Sequence, residues 1–253
     1  MVEERNNPLG DRLSHAVTRM MGMRVAGERA RLAVPVLYPS GASASVEVVL
    51  SGSDCFVSDM AKGQAESEMQ GASSFYDHAA RSSAERFGVR YDGQSIFVVR
   101  TSIDNVETAI AAVANASVSA ASAAIFKSFE EKEKKKTEEL FQKVTRAFSE
   151  FGIHIVTKEE ELNGRDAVWP AHNVVTLPDK RKLVFEFVTE NSSSVASKYF
   201  MFSDLSRSAR GYSLNSVVAN VDRVNAKTAM LADVSYLMQF AANDDDYRRR
   251  AIG

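Results

Sequence analysis

The segment Lys182-Leu-Val-Phe-Glu-Phe-Val-Thr189 constrains the fold of this chain strongly, because it is apolar almost throughout and carries one carboxylate, Glu186, at its centre. A short run rich in β-branched and aromatic residues predicts a buried strand. A carboxylate inside such a strand must be paired, bound to a metal or kept protonated, since burying it bare costs several kcal/mol. Glu186 is therefore the position where chemistry can be argued from first principles.

Composition limits the class of protein. The chain has 253 residues, of which 45% are apolar and 25% charged, so it can bury one large core or two of ordinary size. A net charge of −2 provides no global field for nucleic acid or an acidic membrane, and binding to either would need a local basic patch. Cys55 is the only cysteine, which excludes an internal disulfide and a thiolate-rich zinc site.

Targeting and cofactor signals are absent from the sequence. The start, Met1–Gly10, is polar and lacks the apolar core of a signal peptide, and the Ala/Ser-rich stretch 109–125 is a poor membrane span. There is no phosphate-binding G-x-x-x-x-G-K-[ST], no G-x-G-x-x-G and no H-E-x-x-H. We expect a cytoplasmic protein with no cofactor and no membrane partner, and a homo-oligomer is possible.

Hydrophobic periodicity predicts two α/β (α+β) domains, 1–128 and 140–253, each with the order α-β-β-β-α-β-α. In the first we expect a helix at 11–23, strands at 32–38, 46–50 and 54–58, a helical region at 60–87 broken near Gly71, a strand at 96–99 and a helix to about 125. In the second we expect helices at 140–151, 195–209 and 225–242, strands at 153–157, 166–177, 182–189 and 214–221, and a polar tail.

The mixed-sign run at 129–139 is predicted to be a charged helical connector between the two domains. Lysines and glutamates alternate within it, and such a run is typical of a solvated helix with i, i+4 ion pairs. A basic nucleic-acid patch is the less favoured interpretation, because the acidic residues outnumber the lysines.

The order of elements in the second half, with its carboxylates, resembles the restriction-endonuclease-like nucleases over about 138–242. In that fold an acid early in the second strand and an acid-x-lysine on the third hold a divalent metal. The resemblance implies Asp166 and Glu186 as the metal-binding acids. The lysine position two residues after Glu186 is Val188, so Lys198 on the following helix is the candidate that could replace it.

Without that lysine, the nuclease-like domain is expected to be degenerate, with Glu186 paired to a nearby Arg or Lys. Arg181, Lys198 and Arg207 are the candidate partners. An active Mg²⁺-dependent nuclease using Asp166, Glu186 and Lys198 stays as the alternative, and magnesium is expected only in that case.

The first half resembles an uncharacterised bacterial and prophage domain family over roughly 30–125. The residues that carry the resemblance are Val57-Ser-Asp-Met60 leading into a helix, Phe87-Gly-Val89, and Ile96-Phe-Val-Val99 before a long helix. No activity comes with that family, which often precedes a second uncharacterised domain. From the residues alone, Asp59 is predicted to accept hydrogen bonds from the first turn of the following helix.

Basic residues of the second half provide a candidate phosphate-binding patch, if the fold brings them together. They are Arg207, Arg210, Arg223 and Lys227. The histidines, including His172, show no metal-binding or catalytic spacing. The sequence thus favours a non-catalytic binding protein of mobile-element or prophage type that recognises nucleic acid or a protein partner. A protein-interaction adaptor or inhibitor is a second alternative.

Overall fold

The computed structural model describes residues 12, 16, 22–149, 155–189, 191–208, 211–223 and 226–252, without the side chains of residues 223 and 227. The chain is a mixed α/β protein that separates into two compact units, Met1–Ser128 and Phe129–Gly253. The predicted helix at 11–23 lies largely outside the described residues, but its last residue, Met23, begins a strand.

The first unit is built on a six-stranded sheet in which every neighbouring pair is antiparallel. Its strand order is β1-β2-β3-β4-β6-β5. The strands are β1 (Met23–Ala26), β2 (Arg29–Leu37), β3 (Ser43–Ser51), β4 (Asp54–Ser58), β5 (Arg90–Tyr91) and β6 (Phe97–Ser102). Val46, Val57 and Phe97 are fully buried on this sheet, and Val46 alternates with its polar neighbours as predicted.

Two helices lie between β4 and β5 in the chain, α1 (Lys62–Met69) and α2 (Ser73–Phe87). The predicted break near Gly71 is confirmed. Gly88, with φ 64°, ends α2 in the left-handed conformation that favours glycine, as predicted from the sequence.

A single helix of 44 residues, α3 (Val106–Ser149), occupies the region where two helices and a connector were expected. No proline interrupts it, and apolar residues resume at Leu140, directly after the charged run. Among the described residues, the stretch Ile103–Ser149 is long and apolar enough to cross a membrane, a property that core helices share. Half of its most apolar window is buried inside the structure.

The second unit is built on a five-stranded sheet of order β11-β10-β9-β8-β7. The strands are β7 (Ile155–Asn163), β8 (Val168–Thr176), β9 (Lys182–Val188), β10 (Tyr212–Val218) and β11 (Tyr236–Gln239). β7, β8 and β9 form an antiparallel meander, and β9, β10 and β11 are parallel. The remaining helices are α4 (Ser192–Ser206), α5 (Ala226–Ala229) and α6 (Asp244–Arg249).

Both faces of this sheet are covered. Leu140, Val144 and Phe148 of α3 pack with Leu183, Phe185 and Phe187 of β9 on one face. On the other face, Met201, Phe202 and Leu205 of α4 pack with Val184 and Leu214. Because successive side chains of a strand point to opposite faces, β9 is apolar on both sides and Glu186 points towards α4.

The predicted helix at 225–242 is wrong. Its residues form the short α5, a 3₁₀ turn at Met230–Asp233 and strand β11. Met238 instead pairs with Val217 in a parallel ladder. The apolar spacing fits a helix, but Leu237 and Met238 are consecutive apolar residues that a strand buried on both faces also requires. The polar tail forms α6, which begins with a capping box of Asn243 and Asp246.

Candidate functional site

Glu186 is only 1% exposed and uses both of its carboxylate oxygens. Oε1 accepts the backbone N–H of His172 at 2.5 Å. Oε2 accepts from Lys198 Nζ at 2.6 Å and lies 3.2 Å from His172 Nδ1. The lysine side chain is 13% exposed and the histidine side chain 34% exposed. The cluster is therefore closed on the carboxylate side and reaches solvent mainly through the imidazole.

A local departure from regular sheet geometry creates this cluster. The β8–β9 ladder pairs residues 174–176 with 182–184 and stops there. The next residue towards the start of β8, Asn173, has φ 50° in the left-handed region and donates from Nδ2 to the carbonyl of Phe185. Continued pairing would place His172 opposite Glu186. Instead, the Glu186 side chain accepts the N–H of His172 in place of a backbone carbonyl.

The electrostatics of the cluster favour an ionised carboxylate. Burial is the largest influence on the pKa of Glu186 and raises it, but the charge of Lys198 and the hydrogen bond from His172 together hold the pKa below the usual glutamate range. The same hydrogen bond raises the pKa of His172. The cluster is a compensated buried ion pair, with the imidazole as a second donor to Glu186.

Asp166 lies in the loop between β7 and β8, which Asp204 of α4 fixes. The Asp204 carboxylate accepts from the N–H groups of Asp166 at 2.9 Å and Ala167 at 3.1 Å, and from Trp169 Nε1 at 2.7 Å. A Cβ on Gly164 would lie 2.0 Å from Asp204 Oδ2, so this loop position requires glycine. The backbone of Asp166 is thus well held, while its side chain is exposed.

The structure does not bring the Asp166 and Glu186 carboxylates together. The side chain of Asp166 is 70% exposed and lies 3.6 Å from Arg165, whereas Glu186 contacts Lys198 and His172. The β8 residue nearest Glu186 is His172, six positions after Asp166. Within the described ranges, no group of three or more His, Cys, Asp or Glu side chains could hold a metal ion. Of the three proposed catalytic residues, Glu186 and Lys198 meet and Asp166 lies elsewhere.

The proposed basic patch is only partly described. Arg207 is exposed at the end of α4, beside a shallow surface depression that also contains Trp169 and Phe200. Arg210 lies outside the described residues. The backbones of Arg223 and Lys227 belong to a 3₁₀ turn and to α5, and their side chains lie outside the description. Of the four residues, Arg207 is the one whose side chain is described.

A cleft of about 460 Å³ opens where the parallel strands β9 and β10 end. The ends of parallel strands are the place where open α/β sheets commonly bind ligands. Its lining is mostly apolar near the strands and charged along α3. The lining residues are Lys132, Lys135, Lys136, Glu139, Phe187, Val188, Thr189, Val218, Ala219, Asn220 and Thr228. All of them belong to the second unit.

Three lysines of α3 form one stripe along the wall of this cleft, Lys132, Lys135 and Lys136. Their spacing of i, i+3 and i+4 places them on one helix face. The lining contains one carboxylate, Glu139, which is paired with Lys136 at 2.5 Å. The three lysines therefore outnumber the carboxylates along the cleft. The sum of the charges in the run hides this stripe, because the acidic residues outnumber the lysines there. The helical phase of the lysines was the signal that could have revealed it.

The first unit contains a second buried carboxylate, Asp59, which is 0% exposed. It accepts from the N–H groups of Ala61 at 3.2 Å and Gly63 at 3.3 Å, as predicted for a residue ahead of a helix. It also accepts from Phe97 N–H at 2.9 Å and Ser117 Oγ at 2.7 Å. Burial is the main cause that raises the pKa of Asp59. These contacts tie β4, α1, β6 and α3 of the first unit together.

Comparisons with models of protein families, with curated proteins and with solved structures give no match. The resemblances to a nuclease fold and to a prophage domain therefore stay predictions. The Glu186 cluster and the lysine-lined cleft are the two features of the structure from which a function can be inferred.

Proposed function

We propose that the chain is a non-catalytic nucleic-acid-binding protein whose second unit holds the phosphate backbone at the lysine-lined cleft. The observation that supports this proposal is the stripe of Lys132, Lys135 and Lys136 along one wall of that cleft. Ammonium groups on one helix face bind successive phosphates and release their counterions, which is the main source of affinity in sequence-independent binding. A weak net charge is compatible with this, because the lysines are concentrated locally.

The state of Glu186 supports the non-catalytic part of the proposal. A nuclease metal ion needs carboxylate oxygens that are free to coordinate it, with a second acid close by. Here both oxygens of Glu186 accept from Lys198 and His172, and the residue that faces it across the sheet is an imidazole. The lysine neutralises the carboxylate, as a structural ion pair does.

A matched pair of variants tests the binding proposal. The first replaces Lys132, Lys135 and Lys136 with Gln. The control replaces Lys134, Lys158 and Lys180, which belong to the same unit but do not line the cleft, and it removes the same charge. Affinity for a labelled 20-nucleotide strand, measured by anisotropy over a salt series, should fall about tenfold or more in the first variant. The slope of log K against log salt should decrease by about 2, near 0.7 per lost phosphate contact.

Equal losses in the two variants would contradict a role for the cleft. Flat salt dependence of the wild-type protein would remove nucleic acid as the ligand and favour a protein-interaction adaptor. The same samples incubated with Mg²⁺ address the nuclease alternative. Strand cleavage that disappears in a folded Glu186→Gln variant would contradict the non-catalytic assignment.

A further inference from the structure

We infer that the cleft receives one unpaired nucleotide of the bound strand, with its base against the apolar floor and its phosphates at the lysine stripe. This inference rests on the proposed function and specifies the form of nucleic acid that fits. The floor consists of side chains at the ends of β9 and β10, Phe187, Val188, Val218 and Ala219. A volume of about 460 Å³ lies within the usual range for pockets that enclose a small organic group.

The cleft is amphipathic, and this limits the chemistry of its ligand. A free phosphate would satisfy the lysines and leave the apolar floor in contact with water. An uncharged apolar ligand would cover the floor and leave the ammonium groups without an anion. A ligand that meets both needs joins a flat, weakly polar group to phosphate, as a nucleotide does.

An unpaired nucleotide fits this arrangement better than a duplex does. In a duplex the bases are stacked inside and only the convex backbone meets the protein, so the floor would stay unfilled. In a single strand, bases can turn out and bury against apolar or aromatic side chains, while the backbone follows a positive surface. The lysines lie on one wall only, which suits one strand passing along α3.

The test uses a variant that fills the floor without changing charge. Ala219 is exposed and follows β10 directly, so Ala219→Leu adds bulk inside the cleft at little risk to the fold. Ala196→Leu, at an exposed position of α4, is the control. The probes are a labelled 12-nucleotide single strand, its duplex, and the same strand with abasic sites. Free deoxynucleoside monophosphate and polyglutamate serve as competitors.

The wild-type protein should bind the single strand about tenfold tighter than the duplex or the abasic strand at the same salt concentration, since burial of one base contributes about that factor. Ala219→Leu should reduce this preference to about twofold or less, with an unchanged salt slope. Ala196→Leu should keep the preference.

Equal binding of all three probes, unaffected by Ala219→Leu, would overturn the inference and leave the proposed function intact. Efficient competition by the monophosphate would identify a free nucleotide as the ligand. Efficient competition by polyglutamate would show that the cleft recognises only negative charge. Either result would overturn capture from a strand. Absence of salt-dependent binding to any probe would remove the proposed function and this inference together.

Discussion

Asp59 in the first unit and Glu186 in the second are both carboxylates covered by protein, yet they are stabilised in opposite ways. Asp59 accepts from three backbone N–H groups and one hydroxyl, and burial still raises its pKa. Glu186 accepts from Lys198 and His172, and its pKa is lowered. Neutral donors satisfy lone pairs without offsetting the whole cost of desolvation, whereas a nearby cation reverses the sign of the shift.

The largest expected effect comes from removing the carboxylate that neutral donors surround. Asp59→Ala leaves three backbone N–H groups unpaired, while Ser117 keeps the Tyr38 hydroxyl as a partner. Each buried donor without a partner costs about 1–3 kcal/mol. We expect a loss of about 4 kcal/mol or more from the stability of the first unit. Local hydrogen exchange of the ladder amides between β3 and β4, which do not bond to Asp59, measures this loss.

Asp92→Ala is the matched control, because Asp92 also accepts from several turn N–H groups but is close to solvent. It should cost only about 1 kcal/mol, since water can replace the lost acceptor. Similar costs for the two variants would show that burial is not what makes Asp59 important.

The second effect separates charge pairing from hydrogen bonding in the other unit. Lys198→Met leaves Glu186 buried without its cation and should cost about 3 kcal/mol, the lower end for a broken buried pair, because the lysine retains some exposure. The double variant with Glu186→Gln should recover more than half of that cost, since no uncompensated charge remains. Urea unfolding observed through Trp169, which lies in this unit, provides the measurement.

Lys134→Met, at an exposed position, should stay within about 0.5 kcal/mol of the wild type. A double variant no more stable than Lys198→Met alone would show that the lysine acts by packing and not by charge.

The smallest expected effect is that the stability contributed by the two carboxylates changes with pH in opposite directions. The folded-state pKa of Glu186 is lowered, so its stabilisation is present above the unfolded pKa and is lost as pH falls through the folded pKa. The folded-state pKa of Asp59 is raised, so its contribution is full below the unfolded pKa and is lost as pH rises through the folded pKa.

The stability cost of Glu186→Gln should therefore shrink on acidification, while that of Asp59→Asn should grow. Local exchange measured between about pH 3 and 6, around the ordinary carboxyl pKa values, checks this. His172 faces Glu186 and has a raised pKa, so its contribution is lost only as pH rises through that value. Parallel pH trends for the two variants would contradict the comparison.

The strands with alternating or continuous apolar residues were predictable from the sequence, and so was the role of Asp59 as a hydrogen-bond acceptor. Two features were not. Strand β11 lies in a segment whose spacing also fits a helix, and only the parallel neighbour β10 decides between them. The meeting of His172 with Glu186 depends on the register of a hairpin, which the short turn after Thr176 fixes, since Thr176 pairs with Lys182.

The nuclease-like assignment of Asp166 was based on strand order, and order alone does not say which residue of β8 faces Glu186. Counting back from the Thr176–Lys182 pair gives His172. The charge of the 129–139 run was visible, but the cleft along one face of it forms only when β9 and β10 end beside α3. The sequence therefore identified the important carboxylate and, among its candidate partners, Lys198, but not His172.

The left-handed conformation of Asn173 interrupts the backbone hydrogen bonding between β8 and β9 in the second sheet. Beyond Val174, the outer part of β8 keeps its backbone bonds to β7 but is attached to β9 through the side chains of Glu186 and Asn173. Strand separation there requires breaking side-chain bonds and no β8–β9 ladder bonds. The outer β7–β8 hairpin can accordingly separate from β9 as a small unit of local unfolding once these side-chain bonds, and those that its loop donates to Asp204, are broken.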